Sequence, residues 1–228
     1  MLRTAMLGLV ASATLTTASP ATEYTLFSNL CLPAASGVTA QACASSALLN
    51  LPQGWLAGDG AVALLTTVPL RDAPRDRIVA ALLSYGLAVL ELVPAVLAED
   101  GGEPEAMAEP DLAAGMLRAL VALKRVAGAG IVVGIGFGPG APAAVAALSE
   151  DLARRELGAA GERFSAGLGF GEGPPAIVRN GATSPQLRLA SVCEALGAAG
   201  YVAWAEACYP ALIDRPRPAA PMTARLSR

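Results

Sequence analysis

The sequence predicts an α/β fold: a mainly parallel sheet with helices on both faces. Three observations lead there. Short apolar runs rich in β-branched residues recur at 61–68, 87–93 and 131–136. Segments with a helical apolar period separate them. Proline or glycine punctuates the boundaries. Strands that alternate with helices pair in parallel through crossovers, and the helices cover both sides of the sheet.

The elements follow in order. Residues 22–56 read as an irregular, disulfide-pinned lead-in, and 57–213 as a single α/β domain. Ala61 to Val68 is a buried strand ended by Pro69. Arg71 to Pro74 is a polar turn. Arg75 to Tyr85 has Ile78, Leu82 and Leu83 on one helical face, and Gly86 closes it. Leu87 to Val93 is the second strand, ended by Pro94. Residues 95–109 form an acidic loop. A helix begins at Pro110 and Asp111 and runs to about Ala127, with Leu112, Met116, Leu120 and Leu123 as its buried stripe. Gly128 and Gly130 end it. Ile131 to Gly136 is the third strand. A helix from Pro139 to about Leu157 carries proline in its first turn, where the missing N–H costs nothing. Phe164 to Phe170 is a weaker strand, Pro185 to Leu196 a helix, and Tyr201 to Trp204 a short strand. Residues 214–228, rich in Pro and Arg, read as a disordered tail.

The first 21 residues read as a signal peptide. Arg3 supplies a positive start and Ala5 to Leu15 an apolar run. That run is shorter than the roughly 20 residues a bilayer span needs. Ser19-Pro20-Ala21 fits a small-x-small cleavage site, so cleavage is expected near Ala21. The expected destination is periplasmic or secreted. Four cysteines at 31, 43, 193 and 208 agree with export and suggest two disulfides, of three possible connectivities. Cys31 and Cys43 bracket a small-residue loop that makes a local bridge easy. Cys193 and Cys208 would stand about 22 Å apart on one continuous helix. Their pairing therefore requires the chain to fold back at Gly197 or Gly200; otherwise the pairing is crossed. Zinc is not expected, because the chain has no histidine and no Cys-x-x-Cys.

Composition excludes further classes. Charged residues are 15% of the chain and the net charge is -3, or about -4 once Arg3 is removed. No basic patch exists, so nucleic acid is not an expected partner. Only 4% of residues are aromatic, which argues against a stacking platform for bases or sugars. No later stretch reaches 18 apolar residues without a charge or a Gly/Pro break, so stable membrane insertion is not expected. Six carboxylates crowd residues 99–111, but they lack the alternation of a calcium loop and read as solvated. Trp55 and Trp204 could line a pocket, but isolated tryptophans are more often core or edge packing, and they are read that way first.

The turn after the third strand is the most informative segment. Gly136-Phe137-Gly138-Pro139-Gly140 lies between a strand and a helix. In α/β-hydrolases this junction carries Gly-x-Ser-x-Gly, a sharp elbow that lifts the nucleophile above the sheet. The surrounding order resembles the dienelactone hydrolase family over about residues 60–172. A strand precedes Arg71-Asp72 and a helix. Tyr85 to Leu90 opens the second strand, Leu117 to Leu120 lies in the helix before the elbow strand, and Arg163-Phe164-Ser165-Ala166 opens the next. The resemblance implies a truncated α/β-hydrolase-like core.

It also implies a lost activity. Gly138 stands where the family has its nucleophile. Thr66-Thr67-Val68 stands where the family has His-Gly in the oxyanion loop. The family's acid and histidine follow later strands, and this chain has no histidine at all. Lys124, the single lysine, sits mid-helix and reads as a solvated surface residue. The expected catalytic set is therefore empty: Gly136, Gly138 and Gly140 form a degenerate elbow. A ligand site at Gly138, with Thr66 and Thr67 beside it, is the expected remnant, with no cofactor and no metal. The favoured reading is an exported, non-catalytic protein that acts by binding an unidentified small molecule or protein, or as a structural partner. Two alternatives stand: a hydrolase with an atypical carboxylate site, and an anion or nucleotide binder at the glycine-rich turn. Gly136-x-Gly138-x-x-Ala141 fits a dinucleotide fingerprint, but it does not follow the domain's first strand.

Overall fold

The computed structural model describes residues 26–33, 43–66, 73–93, 108–180 and 186–213. The expected signal peptide, most of the acidic stretch, the expected tail and Thr67 lie outside the described residues, as does the Cys43 side chain.

Seven strands form one sheet in the order β1-β2-β4-β3-β5-β6-β7. They are β1 (Leu26–Pro33), β2 (Cys43–Leu51), β3 (Gly60–Leu65), β4 (Ala88–Leu92), β5 (Ile131–Phe137), β6 (Ala166–Phe170) and β7 (Ala176–Arg179). The central four, β4-β3-β5-β6, are parallel. β1, β2 and β7 add antiparallel pairings at the two flanks. The expected mainly parallel α/β sheet is what the chain forms.

Among the described residues six α-helices flank it: α1 (Ala73–Ser84), α2 (Glu109–Val121), α3 (Ala141–Ala146), α4 (Glu150–Leu157), α5 (Gln186–Ala198) and α6 (Val202–Ile213). They divide between two cores. One face of the sheet packs α2, α3 and α4 through Met116, Leu117, Leu120, Ala144 and Ala153. The other packs α1, α5 and α6 through Ile78, Leu82, Val192, Leu196 and Leu212. β3 and β4 are buried along their whole length, so they read as largely apolar runs, with Glu91 the exception, rather than alternating ones.

Four sequence expectations are corrected. The lead-in 22–56 is not irregular: β1 and β2 form a hairpin-like pair that docks antiparallel on β4. Its alternation was hidden because the buried residues are leucine and alanine interleaved with small polar ones, as in Ser46-Ala47-Leu48-Leu49. The helix expected from 139 to 157 is broken. A 3-10 turn at Gly138–Gly140 leads into α3, and Ser149 then starts α4, its hydroxyl accepting from the Leu152 N–H. Glu150 and Asp151 in that first turn suit the helix dipole. The α2 helix ends in a π-turn, Ala122–Ala127, closed by Gly128. The short strand expected at 201–204 is the start of α6, and the strand β7 was not foreseen.

The fold-back required for a Cys193–Cys208 disulfide occurs at Gly200, whose φ of +93° lets the chain reverse. The bridge is present, with Cα atoms 5.5 Å apart, and joins α5 to α6. Cys31 is also disulfide-bonded. No helix among the described residues is long and apolar enough to cross a membrane.

Candidate functional site

The parallel strands all end at one edge of the sheet, and there two of them end alike. β5 runs out through Gly134-Ile135-Gly136-Phe137-Gly138, and β6 through Gly167-Leu168-Gly169-Phe170-Gly171. They pair in register, Gly134 with Gly167, Ile135 with Leu168, Gly136 with Gly169 and Phe137 with Phe170. Side chains alternate across a sheet, so the glycines share one face and the large residues the other. The glycine face lets α3 press onto the backbone. A Cβ at Gly136 would drive into the Gly140 carbonyl and the Ala144 methyl, and one at Gly169 into the Ala141 carbonyl. Gly140 in turn has room for no side chain against Leu65.

This close approach makes the turn an elbow. Phe137 is extended, with φ -118° and ψ 145°, and Gly138 turns abruptly to φ +55°. The strand–turn–helix from 131 to 146 is hydrolase-like in this respect, with an exposed glycine at the crest. Thr66 follows Leu65, the register partner of Gly136, and so stands next to the elbow. Its N–H donates to the Leu92 carbonyl at 3.0 Å. Gly136, Gly138, Gly140 and Thr66 are thus brought together.

Above them opens a cavity of about 320 Å³, with Thr66, Arg75, Phe137, Gly138, Phe170 and Trp204 among its walls. Tyr201, Glu172, Ile78 and Pro74 complete most of the rest. The chain has four Phe, four Tyr and two Trp, and four of these ten meet here. Phe170 and Trp204 stack at 4.4 Å, and Trp204 and Tyr201 at 4.3 Å. Phe137 lies 5.5 Å from Phe170 and 5.3 Å from Trp204. The expectation that Trp204 is an isolated packing residue is therefore corrected, whereas Trp55 fits it: half-buried, its indole N–H donates to the Gly60 carbonyl at 3.0 Å. A low aromatic fraction did not prevent a stack, because the fold concentrates its few rings at one place. The repeated Gly-x-Gly-Phe-Gly was the signal for Phe137 and Phe170. Tyr201 and Trp204 gave none, since they arrive through the α5–α6 fold-back.

One side of the cavity is anchored by buried charge. Arg75, at the start of α1, pairs with Glu91 of β4 and with Asp76 at 2.7 Å. Asn50 of β2 donates to Glu91 Oε1 at 2.6 Å and to the Val89 carbonyl at 3.3 Å. Arg75, Glu91 and Asn50 are all buried. Burying charge is tolerated only when it is paired and hydrogen-bonded, so this cluster holds α1 against the flank of the sheet at a fixed height.

A second depression, a groove of about 770 Å³, runs along α3 on the far side of the elbow. Pro139, Pro142, Val145 and Gly173 line it, with Glu109 and Glu172 as its charged residues. Gly138, Gly171 and Glu172 border both depressions.

Lys124 lies elsewhere. Its ammonium donates to the Gly130 carbonyl, just before β5 begins. Gly138 lies just past the other end of that strand, about 26 Å away at ~3.3 Å per residue. Among the described residues no three His, Cys, Asp or Glu side chains gather as a metal site would require.

No family model matches this chain, and no curated protein matches it. Among solved structures, Est1E from Butyrivibrio proteoclasticus is similar over 47% of this chain and 43% of its own, at 11% identity and a TM-score of 0.36. The match spans less than half of Est1E's length, and a likeness at that level says nothing about chemistry.

Proposed function

We propose that this chain is an exported protein with a degenerate, dienelactone hydrolase-like core, which binds a small apolar ligand over the elbow and does not hydrolyse it. The aromatic-walled cavity at Gly138 carries this reading. A cavity of about 320 Å³ lined mainly by apolar and aromatic groups, with a few polar ones, suits a small-molecule site. The absence of chemistry rests on the sequence: glycine at the nucleophile position and no histidine to take a proton. An anion site at the elbow is disfavoured because Glu109 and Glu172 line the adjoining groove. Export is supported by the signal-peptide pattern and by the Cys193–Cys208 disulfide, which suits an oxidising compartment.

The test pairs two measurements on the folded protein. NMR titration with 4-phenylbutanol should give saturable binding that weakens in Trp204→Ala. Hydrolysis of 4-nitrophenyl acetate should show no saturation. Saturable turnover overturns the non-catalytic reading, and binding that ignores Trp204 overturns the cavity as the site. Mass spectrometry of exported material should find an N-terminus near Thr22; a retained Met1 in cytosolic material overturns export.

A further inference from the structure

We propose that the ligand is an amphipathic cation, its apolar part in the aromatic cavity and its positive charge at the waist beside Glu172; this rests on the cavity being a ligand site.

Three observations converge. First, the cavity and the groove are neighbours across Gly138 and Gly171. A Cβ at Gly171 would touch the Gly138 carbonyl only at 3.8 Å, and Gly173 has open space around it. With no side chain at any of these positions, the passage between the two depressions stays open. A ligand can therefore lie in one and extend toward the other.

Second, the carboxylate at the waist belongs to both. Glu172 borders each depression, and Glu109 borders the groove. Glu172 is solvent-exposed and can meet a cation at the edge of the apolar walls.

Third, the one cation lining either depression is already matched. Arg75 faces Glu91 and Asp76. Glu91 and Asp76 do not line the cavity, but they offset the Arg75 charge, which leaves Glu172 as the remaining charge on its wall among the described residues. An anionic ligand would enter against that balance, whereas a cation is drawn by it. A neutral hydroxyl could donate a hydrogen bond to Glu172 but would gain no charge attraction from it. Aromatic rings near a cation add attraction through their negative faces, and Phe137 and Tyr201 are half-buried beside the cavity.

The experiment uses three probes of one shape: 4-phenylbutylamine, a cation at neutral pH, 4-phenylbutanol, neutral, and 4-phenylbutyrate, an anion. Dissociation constants are measured by NMR titration for the wild type, Glu172→Gln and Trp204→Ala. The amine should bind tightest and the carboxylate weakest. Glu172→Gln should weaken the amine about threefold to fivefold, the range that a solvent-exposed ion pair supports, and leave the alcohol unchanged. Equal binding of amine and alcohol overturns the proposal, and so does an amine preference that survives Glu172→Gln. In either case, alcohol binding that still depends on Trp204 leaves the cavity reading standing. Failure of all three probes to bind overturns both. Glu172 is exposed, so its replacement by glutamine is not expected to disturb folding.

Discussion

Trp204 lies nearly flat against Phe170, ring centroids 4.4 Å apart and planes within 16° of parallel. The contact joins the first turn of α6 to the end of β6. Tyr201 continues the stack on Trp204, at 4.3 Å and 7°. Trp204 therefore fastens the α5–α6 hairpin over the sheet edge while forming a wall of the cavity. Trp204→Ala should lower stability by about 2 kcal/mol, less than the ~3–5 kcal/mol lost with a fully buried large ring, because Trp204 is half-buried. Trp204→Phe keeps an aromatic surface and should recover most of the loss. Urea denaturation of the three proteins gives the comparison. Equal stability of Trp204→Ala and wild type would show that the stack does not anchor α6.

The Cys193–Cys208 bridge acts on the same hairpin. It closes a 15-residue separation, for which chain entropy predicts about 3 kcal/mol. Both cysteines are fully buried, so mild reductant should reach the bridge only after the hairpin opens. A Cys193→Ala/Cys208→Ala variant, which leaves no buried thiol pair, should show a lower urea midpoint by roughly that energy. Tyr209, donating to Glu194 at 3.0 Å, still links α5 to α6 and should keep the hairpin in place. Phenylbutanol binding by the variant reads this directly. Lost binding with the fold intact would mean that the bridge itself sets the cavity.

The sheet was legible where its signal was local. β3, β4 and β5 are short apolar runs bounded by turn residues, and each was located to within a few residues. β1 and β2 were not, because strands at the flank of the sheet can be built from serine, asparagine and leucine, which carry little strand preference. The break at Ser149 was readable as a cap followed by Glu150 and Asp151, but the surrounding alanines masked it with continuous helix propensity. The elbow glycines were legible because close backbone contact leaves no alternative residue. The cavity was not. Its walls come from α1, β5, β6 and the α5–α6 turn, and no spacing along the chain records that meeting. Arg75 and Glu91 are likewise 16 positions apart and become partners only when α1 crosses back over the sheet.

Acid should weaken one specific joint. Arg163 holds Glu150 with two bonds, Nε to Oε2 and Nη2 to Oε1, each 2.9 Å. This ties the start of α4 to the segment leading into β6. The hydrogen bond from Arg163, aided by its charge and that of Arg154, holds the Glu150 carboxyl below its ordinary value of 4.5. A group whose folded value is depressed stabilises the fold above the ordinary carboxylate range and loses that contribution as pH falls through the lowered value. Glu150→Gln should therefore melt below wild type at neutral pH, and the gap should close as pH drops beneath that range. Because Glu150 is at the surface, salt should also narrow the gap. A gap constant with pH would show that shape, not charge, is what Glu150 contributes.

Gly138→Ser places a hydroxyl at the crest of the elbow and tests the lost-activity reading directly. The backbone there has φ +55°, so any side chain meets strain of about 1–3 kcal/mol. The substituted protein should still fold, since Gly138 is solvent-exposed. It should not become a useful esterase. A serine hydroxyl is a weak nucleophile until an adjacent base takes its proton, and the chain contains no histidine. Lys124 is bound to Gly130 at the other end of β5 and cannot serve. Glu172, the acidic residue lining the cavity, is solvent-exposed and offers no shielded general base. Stabilising the developing oxyanion would need N–H groups aimed at it. The Thr66 N–H is already given to the Leu92 carbonyl. Parts of a catalytic set act as a unit, so restoring one should recover almost none of the rate. The measurement is turnover of 4-nitrophenyl acetate by wild type, Gly138→Ser, and Gly138→Ser with Glu172→Gln. Three flat traces are expected. Saturable turnover by Gly138→Ser that disappears with Glu172→Gln would identify Glu172 as a working base and make the elbow one side chain short of an active site.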